Sequence, residues 1–428
     1  MKSITVQKKK CLKGEFYPPG DKSISHRTIM LGSIADGKTH LTNFCSGEDT
    51  LRTVQAFQSL GIKIERNGTE HTVWGKGLNG LQEPQNIIDA GNSGTTVRLI
   101  TGLLSGQNFF SAITGDASLR SRPMKRITDP MKAMGAKIDG RGDGNFVPLS
   151  IRGGRLSPMQ YQLPVASAQV KSAILLGGLY ADGITEITEP VPSRDHTERM
   201  LSSMGANIER EKTTVRIKGF PNLKPFSFRI PGDISSAAFL IVGATLLPGS
   251  HIVIRKVGVN PLRTGILEIL KQMGANIEVI NPKEECGELT ADVVVKSSSL
   301  KAVNITGDII PRTIDEIPVL AVAAAHAEGT TIIRNAKELR VKETDRIAAV
   351  VEGLKKFGVK VEELSDGMAI TGQEKLKGAS VFSYGDHRIA MAFIIAGLTA
   401  SEETTVVDTE PIETSFPQFM ESLDSLLE

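Results

Sequence analysis

A cluster of small polar and basic residues follows the Pro-Gly pair at positions 19 and 20 and could bind an anion. Lys22, Ser23 and Arg27 lie within six residues, and Asp21 before them is suited to cap the start of a helix. Ser23 and Arg27 would share one face of that helix. Free backbone N–H groups and the helix dipole favour negative charge there. The stretch predicts a phosphate or carboxylate site, although an ordinary capped helix with a basic surface explains it equally well.

Similar residues recur at the starts of later segments. Gly94 would let a ligand approach the backbone, unless the glycine serves only the turn. Pro123 fixes the chain after Arg122 and favours Arg122 as the basic residue aimed at a ligand. Ser193 is expected to cap the helix that follows it. The other candidates in these stretches are Asn92, Thr95, Arg98, Arg120, Lys125, Arg126, Ser167, Gln169 and Lys171; capping roles and solvated basic faces are the alternatives.

Acidic residues among these cations could supply acid–base chemistry. Asp315 and Glu316 open an apolar segment, and a carboxylate placed among cations is a plausible general base, although helix capping is the commoner role. Lys342, Glu343 and Arg346 would share one face if residues 338–346 form a helix, which could equally be an exposed, ion-paired one. His387 and Arg388 add a titratable group and a cation at the last apolar segment.

Two repeated elements must position these residues. Five amphipathic segments end in a glycine followed by an alternating, strand-like run, with glycines at 61, 135, 205, 274 and 358. Six other segments are apolar on nearly all sides, which predicts buried helices whose polar residues collect at their N-termini. The repeats predict six units. Pro-Gly-Asp at 19–21 returns at 231–233, so we expect two lobes of three units divided near residue 231, with the N-terminal strand pairing with either. A cleft between two faces of helix N-termini would concentrate anion-binding groups.

Composition sets limits on the function. The chain has 428 residues, 40% hydrophobic and 23% charged, and its net charge of +2 does not favour wholesale nucleic-acid binding. Three scattered cysteines have neither metal-ligand nor disulfide spacing and fit a reducing cytosol. With no signal-peptide pattern or membrane-length apolar run, we expect a cytoplasmic protein. The residues therefore favour an enzyme that acts on small, multiply anionic substrates without a metal or cofactor.

Seven motifs together resemble the 5-enolpyruvylshikimate-3-phosphate (EPSP) synthase family, in order and along the whole chain: Gly-Asp-Lys-Ser-Ile-Ser-His-Arg at 20–27, Gly-Asn-Ser-Gly-Thr at 91–95, Arg-Pro-Met at 122–124, Ala-Ser-Ala-Gln at 166–169, Ile-Asp-Glu at 314–316, Arg-Val-Lys-Glu-Thr-Asp-Arg at 340–346 and Asp-His-Arg at 386–388. The resemblance implies an α/β fold of two lobes, an inside-out barrel of six βαβαββ units with buried helices and outer sheets. The first lobe would span residues 20–230, and the second would combine 1–19 with 231–428, with the active site between them.

The resemblance also implies a reaction, in which the carboxyvinyl group of phosphoenolpyruvate moves to the 5-hydroxyl of shikimate 3-phosphate and phosphate is released. Asp315, Glu343 and Lys22 would be catalytic. The residues implied to bind shikimate 3-phosphate are Lys22, Ser23, Arg27, Ser167, Ala168, Gln169, Arg194, Asp315 and Lys342. Those implied for phosphoenolpyruvate are Lys22, Gly94, Arg122, Gln169, Arg346, His387 and Arg388.

The resemblance further implies a monomer of the shikimate pathway to chorismate and aromatic amino acids, inhibited by glyphosate at the phosphoenolpyruvate subsite. Ala168 and the run 193–196 look like the bacterial branch that includes glyphosate-tolerant members, whereas Gly94 favours a sensitive enzyme. Thr414 and Glu338 stand where some relatives carry Lys and Asn. The alternatives are the sister enzyme that uses UDP-N-acetylglucosamine, which usually has a reactive cysteine near residues 114–125, and a non-catalytic anion-binding repeat protein.

Overall fold

The computed structural model describes residues 1–373 and 375–428, which form two compact units. The first unit comprises residues 20–230 and 284–288. The second comprises residues 1–19, 231–283 and 289–428. Each unit has its own hydrophobic core, as expected for a chain too long to fold around one core. None of the helices in the described ranges is long and apolar enough to cross a membrane.

The first unit contains three four-stranded sheets, each with one parallel strand pair followed by two antiparallel pairs. Their strands alternate between buried and less buried residues, as in Val73 and its partly exposed neighbours, because only one face of each sheet covers the core. In spatial order the strands are Ser227–Arg229, Asp36–Thr42, Glu70–Lys76 and Lys63–Asn67; Ile88–Asp89, Phe110–Thr114, Phe146–Arg152 and Lys137–Gly140; and Gln160–Gln162, Ile184–Thr188, Thr214–Lys218 and Ile208–Glu211.

The second unit contains two four-stranded sheets and one three-stranded sheet. Both N-terminal strands belong to it: Ser3–Val6 pairs antiparallel with Thr404–Val407, and Lys13–Phe16 pairs parallel with His251–Gly258. This settles the choice that the sequence left open for the N-terminal strand. In spatial order the sheets are Asn276–Glu285, Glu288–Lys296, His251–Gly258 and Lys13–Phe16; Asn304–Ile305, Thr330–Ile333, Gly367–Thr371 and Lys360–Leu364; and Ser3–Val6, Thr404–Val407 and Ser380–Phe382.

Six apolar helices, here called the inner helices, form the centres of the two cores. They bury nearly every residue; in Ile234–Leu246 all residues from 234 to 245 are buried, because an all-round apolar helix has no face suited to water. The prediction of buried helices is confirmed. The inner helices are Lys22–Ile34, Gly94–Ser105 and Ala168–Gly178 in the first unit, and Ile234–Leu246, Ile317–Ala324 and His387–Thr399 in the second.

Six further helices, the outer helices, alternate with the inner ones along the chain. Five of them end at a glycine with positive φ: Gly61 (+83°), Gly135 (+107°), Gly205 (+94°), Gly274 (+96°) and Gly358 (+82°). L-residues with a Cβ avoid this conformation, so the predicted C′ glycines are confirmed. The outer helices are Glu48–Ser59, Lys125–Ala133, His196–Ser203, Gly265–Gln272, Arg346–Lys356 and Phe419–Asp424; the shorter elements are the helical turn Arg141–Gly144, helix Ile309–Thr313 and 3₁₀ turns Leu119–Ser121, Lys337–Val341 and Glu410–Thr414.

Two predicted helix starts are wrong. Ser193 does not cap an outer helix, because that helix begins at His196 after Asp195 and the Ser193 hydroxyl donates to Glu189 instead. Residues 338–346 do not form one helix: a 3₁₀ turn ends at Val341, and the next helix begins at Arg346 with Asp345 as its N-cap. The Asp345 carboxylate accepts hydrogen bonds from the first free backbone N–H groups of that helix, which fixes its start there.

Candidate active site

In the first unit, the inner helix Lys22–Ile34 begins with an ion pair. Asp21 caps the helix by accepting a hydrogen bond from the Ile24 N–H at 2.9 Å, as its position after Pro-Gly predicted. The Lys22 ammonium lies 3.1 Å from the Asp49 carboxylate, and the two side chains are only 15% and 13% exposed. Ser23 is partly buried in the first turn. A lysine and a serine hydroxyl are thus presented together at a helix N-terminus, where anions are favoured.

Arg27 lies one turn further along this helix and is buried. Its guanidinium donates to Thr197 Oγ1 at 2.7 Å, to Ser172 Oγ at 2.9 Å and to the Ser23 carbonyl at 2.9 Å. Burial lowers the pKa of Arg27 to about 10, and the positive charge of Arg194 acts in the same direction. Arg194, which is partly exposed, therefore lies near Arg27, and the two like charges together form a strong attractor for an anion.

At the second inner helix, Gly94 lies between two arginines. A methyl group built at Gly94 would come within 3.0 Å of Arg98 Nη1 and 3.5 Å of Arg122 Nη1. Arg122 is held by the Asn92 side-chain oxygen at 2.5 Å and by its carbonyl at 3.3 Å, and only 7% of Arg122 is exposed. Arg120, on the same loop, is exposed. The backbone of Gly94 and the Arg122 guanidinium can thus be approached together by one small anion.

The third inner helix of the first unit brings Gln169 to the same group. Its side-chain oxygen accepts a hydrogen bond from Arg98 at 2.6 Å, and its nitrogen donates to Thr95 Oγ1 at 3.1 Å. Ser167 caps this helix through the Val170 N–H at 3.4 Å. Ala168 is the first residue of the helix, and its methyl side chain leaves only backbone groups for a ligand. Residues from three inner-helix starts therefore meet within the first unit.

In the second unit, Asp315 lies among four cations immediately before the inner helix Ile317–Ala324. Its carboxylate oxygens are 3.4 Å from Arg346, 3.6 Å from Lys342, 3.9 Å from Arg263 and 4.0 Å from Arg388. The Asp315 side chain is 14% exposed. One carboxylate among four positive charges can bind an anionic substrate beside it and can still accept a proton from a neutral hydroxyl.

Arg346 is fixed by three carboxylates. It lies 2.7 Å from Asp386, 2.7 Å from Glu343 and 3.4 Å from Asp315, and it is 1% exposed. Burial by itself would lower the pKa of Arg346, but Asp386, Glu343 and Asp315 together raise it above its ordinary value. Asp386 also caps the inner helix His387–Thr399 through the Arg388 N–H at 2.8 Å. The arginine is therefore permanently charged and immobile, as a residue that orients an anion must be.

The neighbouring residues complete this group. Arg388 donates to the Asp315 carbonyl at 3.3 Å. Lys342 and Glu343 retain exposed fractions of 27% and 21%, so both can reach a ligand. His387 is buried and lies 3.3 Å from Thr414 Oγ1. The helix predicted for residues 338–346 is absent, yet Lys342, Glu343 and Arg346 still converge, because the turn before Arg346 leads the chain past Asp315.

Two residues at these sites were not singled out in the sequence. Asp49, the partner of Lys22, lies in the first turn of an outer helix, where an acidic residue is ordinary. Arg263 contacts Asp233 at 3.2 Å and Ser235 at 2.7 Å, besides lying near Asp315. Neither residue belongs to a recognisable motif, and each is more than 25 residues from its partner, so only the folded chain brings them into place.

No group of three or more His, Cys, Asp and Glu residues suited to a metal ion occurs in residues 1–373 and 375–428. What the chain does present is a set of arginines, lysines, amides and carboxylates at the starts of the inner helices. These features define a class of enzyme that binds small anionic substrates and moves protons with carboxylates.

Comparison with known proteins defines the family. The family model described as "EPSP synthase (3-phosphoshikimate 1-carboxyvinyltransferase)" matches residues 6–423. The 3-phosphoshikimate 1-carboxyvinyltransferases of Citrifermentans bemidjiense and Bacillus cereus are 52% identical to this chain over 428 and 427 residues, covering 100% of each chain. A solved structure of EPSP synthase from Acinetobacter baumannii is 47% identical, covers 99% of this chain and 98% of its own, and superposes with a TM-score of 0.89. The chain belongs to the EPSP synthase family.

Proposed function

We propose that this protein transfers the carboxyvinyl group of phosphoenolpyruvate to the 5-hydroxyl of shikimate 3-phosphate, releasing phosphate, in the shikimate pathway that leads through chorismate to aromatic amino acids. The family membership supports the reaction. The single observation that supports its chemistry here is the position of Asp315, a carboxylate with four cations within 4.0 Å. Such a group can deprotonate a hydroxyl while its neighbours bind the anionic partner.

We propose that the residues at the inner-helix starts and around Asp315 bind the substrate pair. Ser167 and Gln169 suit the hydroxyls of a cyclic substrate, since hydroxyl and amide groups both donate and accept. The set for shikimate 3-phosphate is Lys22, Ser23, Arg27, Ser167, the Ala168 backbone, Gln169, Arg194, Asp315 and Lys342. The set for phosphoenolpyruvate is Lys22, Gly94, Arg122, Gln169, Arg346, His387 and Arg388.

In the first step, the 5-hydroxyl oxygen of shikimate 3-phosphate attacks C2 of phosphoenolpyruvate, and Asp315 accepts the proton of that hydroxyl. A proton from Glu343 or Lys22 reaches C3, which gives a tetrahedral intermediate with the phosphate still attached. In the second step, C3 gives its proton back to the group that supplied it, the C2–O bond to phosphate breaks, and the enol ether forms as phosphate leaves. The exposed fractions of Glu343 (21%) and Lys22 (15%) leave both groups accessible to a substrate, and the surrounding arginines stabilise the anionic groups through both steps.

Glyphosate, which carries a carboxylate and a phosphonate, is proposed to compete for the phosphoenolpyruvate set. Gly94 has no side chain to separate its backbone from Arg98 and Arg122, which favours tight inhibition. We further propose that the enzyme acts as a monomer in the cytoplasm.

The test is phosphate release by the purified protein in the presence of phosphoenolpyruvate. The assay is run under three conditions: with shikimate 3-phosphate, with UDP-N-acetylglucosamine, and without an acceptor. Release only with shikimate 3-phosphate supports the proposal, and mass analysis of the product should show the added carboxyvinyl group. Release only with the nucleotide sugar, or with no acceptor at all, would contradict it.

A further inference from the structure

A fully buried lysine lies on the third inner helix, one turn beyond Gln169. The side chain of Lys171 is 0% exposed. Its ammonium lies 2.7 Å from Glu189, 2.7 Å from Glu198 and 3.2 Å from the Ser193 carbonyl. The ammonium donates hydrogen bonds to Glu189 and to the Ser193 carbonyl, whereas Glu198 lies at ion-pair distance. Burying a charge is costly unless it is paired, and this cluster places two carboxylates, 1% and 5% exposed, beside one lysine. None of these residues has a role in the reaction proposed above.

The first consequence concerns the segment that carries Arg194. Residues 189–195 connect the strand Ile184–Thr188 to an outer helix. Glu189 holds this segment by accepting hydrogen bonds from both the backbone N–H (3.3 Å) and the hydroxyl of Ser193. Lys171 binds this same carboxylate and the Ser193 carbonyl. The main chain immediately before Arg194 is therefore anchored on Lys171, which restricts where the Arg194 side chain can start.

The second consequence concerns Arg27. Its guanidinium is held by the hydroxyls of Ser172 and Thr197, which also bond to each other at 2.7 Å. Ser172 directly follows Lys171 in the chain, and Thr197 directly precedes Glu198. The ion pair between Lys171 and Glu198 thus ties together the two backbone positions whose hydroxyls orient Arg27.

Acidic residues near Arg27 and Arg194 offset the repulsion between these two arginines. Arg27 and Arg194 repel each other, but Glu198 opposes this effect on Arg27. Glu189, Glu198 and Lys171 carry one net negative charge, which offsets part of the repulsion before any ligand binds. Two pre-oriented arginines suit a dianionic phosphate monoester, because preorganisation lowers the cost of ordering on binding.

We propose that Lys171, with Glu189 and Glu198, is a positioning group for the 3-phosphate of shikimate 3-phosphate, acting through Arg27 and Arg194. This inference rests on the proposed function, since it specifies which group of that substrate Arg27 and Arg194 bind. It predicts that disturbing the buried cluster weakens recognition of the phosphate selectively, whereas the rest of the substrate and phosphoenolpyruvate are bound as before.

The decisive variant is Glu189→Gln, which preserves the shape and a hydrogen-bond acceptor but removes one buried charge. Calorimetry on the full chain compares the dissociation constants of shikimate 3-phosphate and of shikimate, which lacks the phosphate. We expect the first to rise about tenfold, the loss typical of one charge-assisted hydrogen bond, and the second to change less than about twofold. Lys171→Met should give a larger loss in the same direction. Tyr180→Phe, which removes a buried hydrogen bond to the Leu78 carbonyl in the same unit, is the control.

An equal rise in the dissociation constants of shikimate 3-phosphate and shikimate, or no change in either, would overturn the inference. If Lys171→Met fails to fold, Glu189→Gln still decides. Initial rates supply a second readout: the KM for shikimate 3-phosphate should rise while kcat and the KM for phosphoenolpyruvate stay near the parent values. The failure of the proposed function is distinguishable, because in that case the unsubstituted protein would itself release no phosphate with shikimate 3-phosphate.

Discussion

The substitution Asp315→Asn separates two roles that one carboxylate plays. The side chain keeps its shape, but the amide cannot accept the 5-hydroxyl proton as a base, so kcat should fall by about 10²- to 10⁴-fold. The affinity for an anionic substrate should instead increase. The lost negative charge lies within 4.0 Å of four cations, three of which are proposed to bind substrate: Lys342, Arg346 and Arg388.

An anion bound to the cations around Asp315 would lie about 4 Å from that carboxylate, and this distance sets the size of the second effect. A unit charge pair separated by about 4 Å interacts by about 1 kcal/mol even at the dielectric constant of water, which corresponds to about fivefold in affinity. Removing the charge on Asp315 should therefore lower the dissociation constant of phosphoenolpyruvate by about fivefold or more. Kinetic phosphate-release assays give kcat, and fluorescence or calorimetric titration gives the dissociation constant.

Asp366→Asn is the matched control, since Asp366 pairs with Arg334 at 3.2 Å in the same unit. We expect this variant to keep parental kcat and phosphoenolpyruvate affinity. A kcat for Asp315→Asn within about tenfold of the parent would refute the role as base. Weaker phosphoenolpyruvate binding in that variant would instead refute the electrostatic reasoning.

Three further predictions follow from local geometry. Gly94→Ala, whose methyl would lie 3.0 Å from Arg98, should raise the glyphosate inhibition constant more than the KM for phosphoenolpyruvate. Gly353→Ala, whose Cβ would lie 2.0 Å from the Phe393 ring, should lower the free energy of unfolding by about 1–3 kcal/mol or more in urea titrations. Burial lowers the pKa of His326 to about 4, so the unfolded chain binds a proton more readily below pH 6.5. Stability should therefore fall as the pH drops from 6.5 to 4, and His326→Gln should reduce the total loss over that range by up to about 3 kcal/mol.

Each of these has an outcome that contradicts it. Unchanged glyphosate inhibition in Gly94→Ala would show that the inhibitor does not approach this backbone. For Gly353→Ala, an unaltered urea midpoint would mean that Phe393 moves aside without cost. If His326→Gln loses stability with the same pH slope as the parent, another group governs acid unfolding. Glu421→Gln, at an exposed position of the outer helix Phe419–Asp424, is a control for the two stability measurements.

Much of the fold follows from local chemistry in the sequence. A glycine at the C-terminus of a helix predicts a positive φ, and Gly61, Gly135 and Gly205 have it. A segment with no polar side, such as residues 234–245, has to be buried. Strand partners joined over long distances could not be predicted, because pairing such as that of Lys13–Phe16 with His251–Gly258 leaves no local signal in either strand.

Candidate site residues could be predicted from the sequence where the neighbouring residues restrict the backbone. Pro123 favoured Arg122 over Arg120, and in the structure Arg122 is buried beside Gly94 while Arg120 is exposed. Asp49 could not be predicted as the partner of Lys22, since an acidic first turn has an ordinary explanation. Family resemblance, rather than spacing, supplied the roles of individual residues, and those roles stay predictions.

The two N-terminal strands have a consequence for synthesis. Ser3–Val6 and Lys13–Phe16 leave the ribosome long before their partners, Thr404–Val407 and His251–Gly258. At about 5–20 residues per second, the first strands wait on the order of tens of seconds for these partners. Residues 20–230, by contrast, contain all twelve strands of their three sheets and can begin to fold meanwhile. Until those partners are synthesised, the two N-terminal segments have no strand partner, and Lys8, Lys9 and Lys10 between them supply charge of the kind that discourages aggregation of unpaired strand sequences.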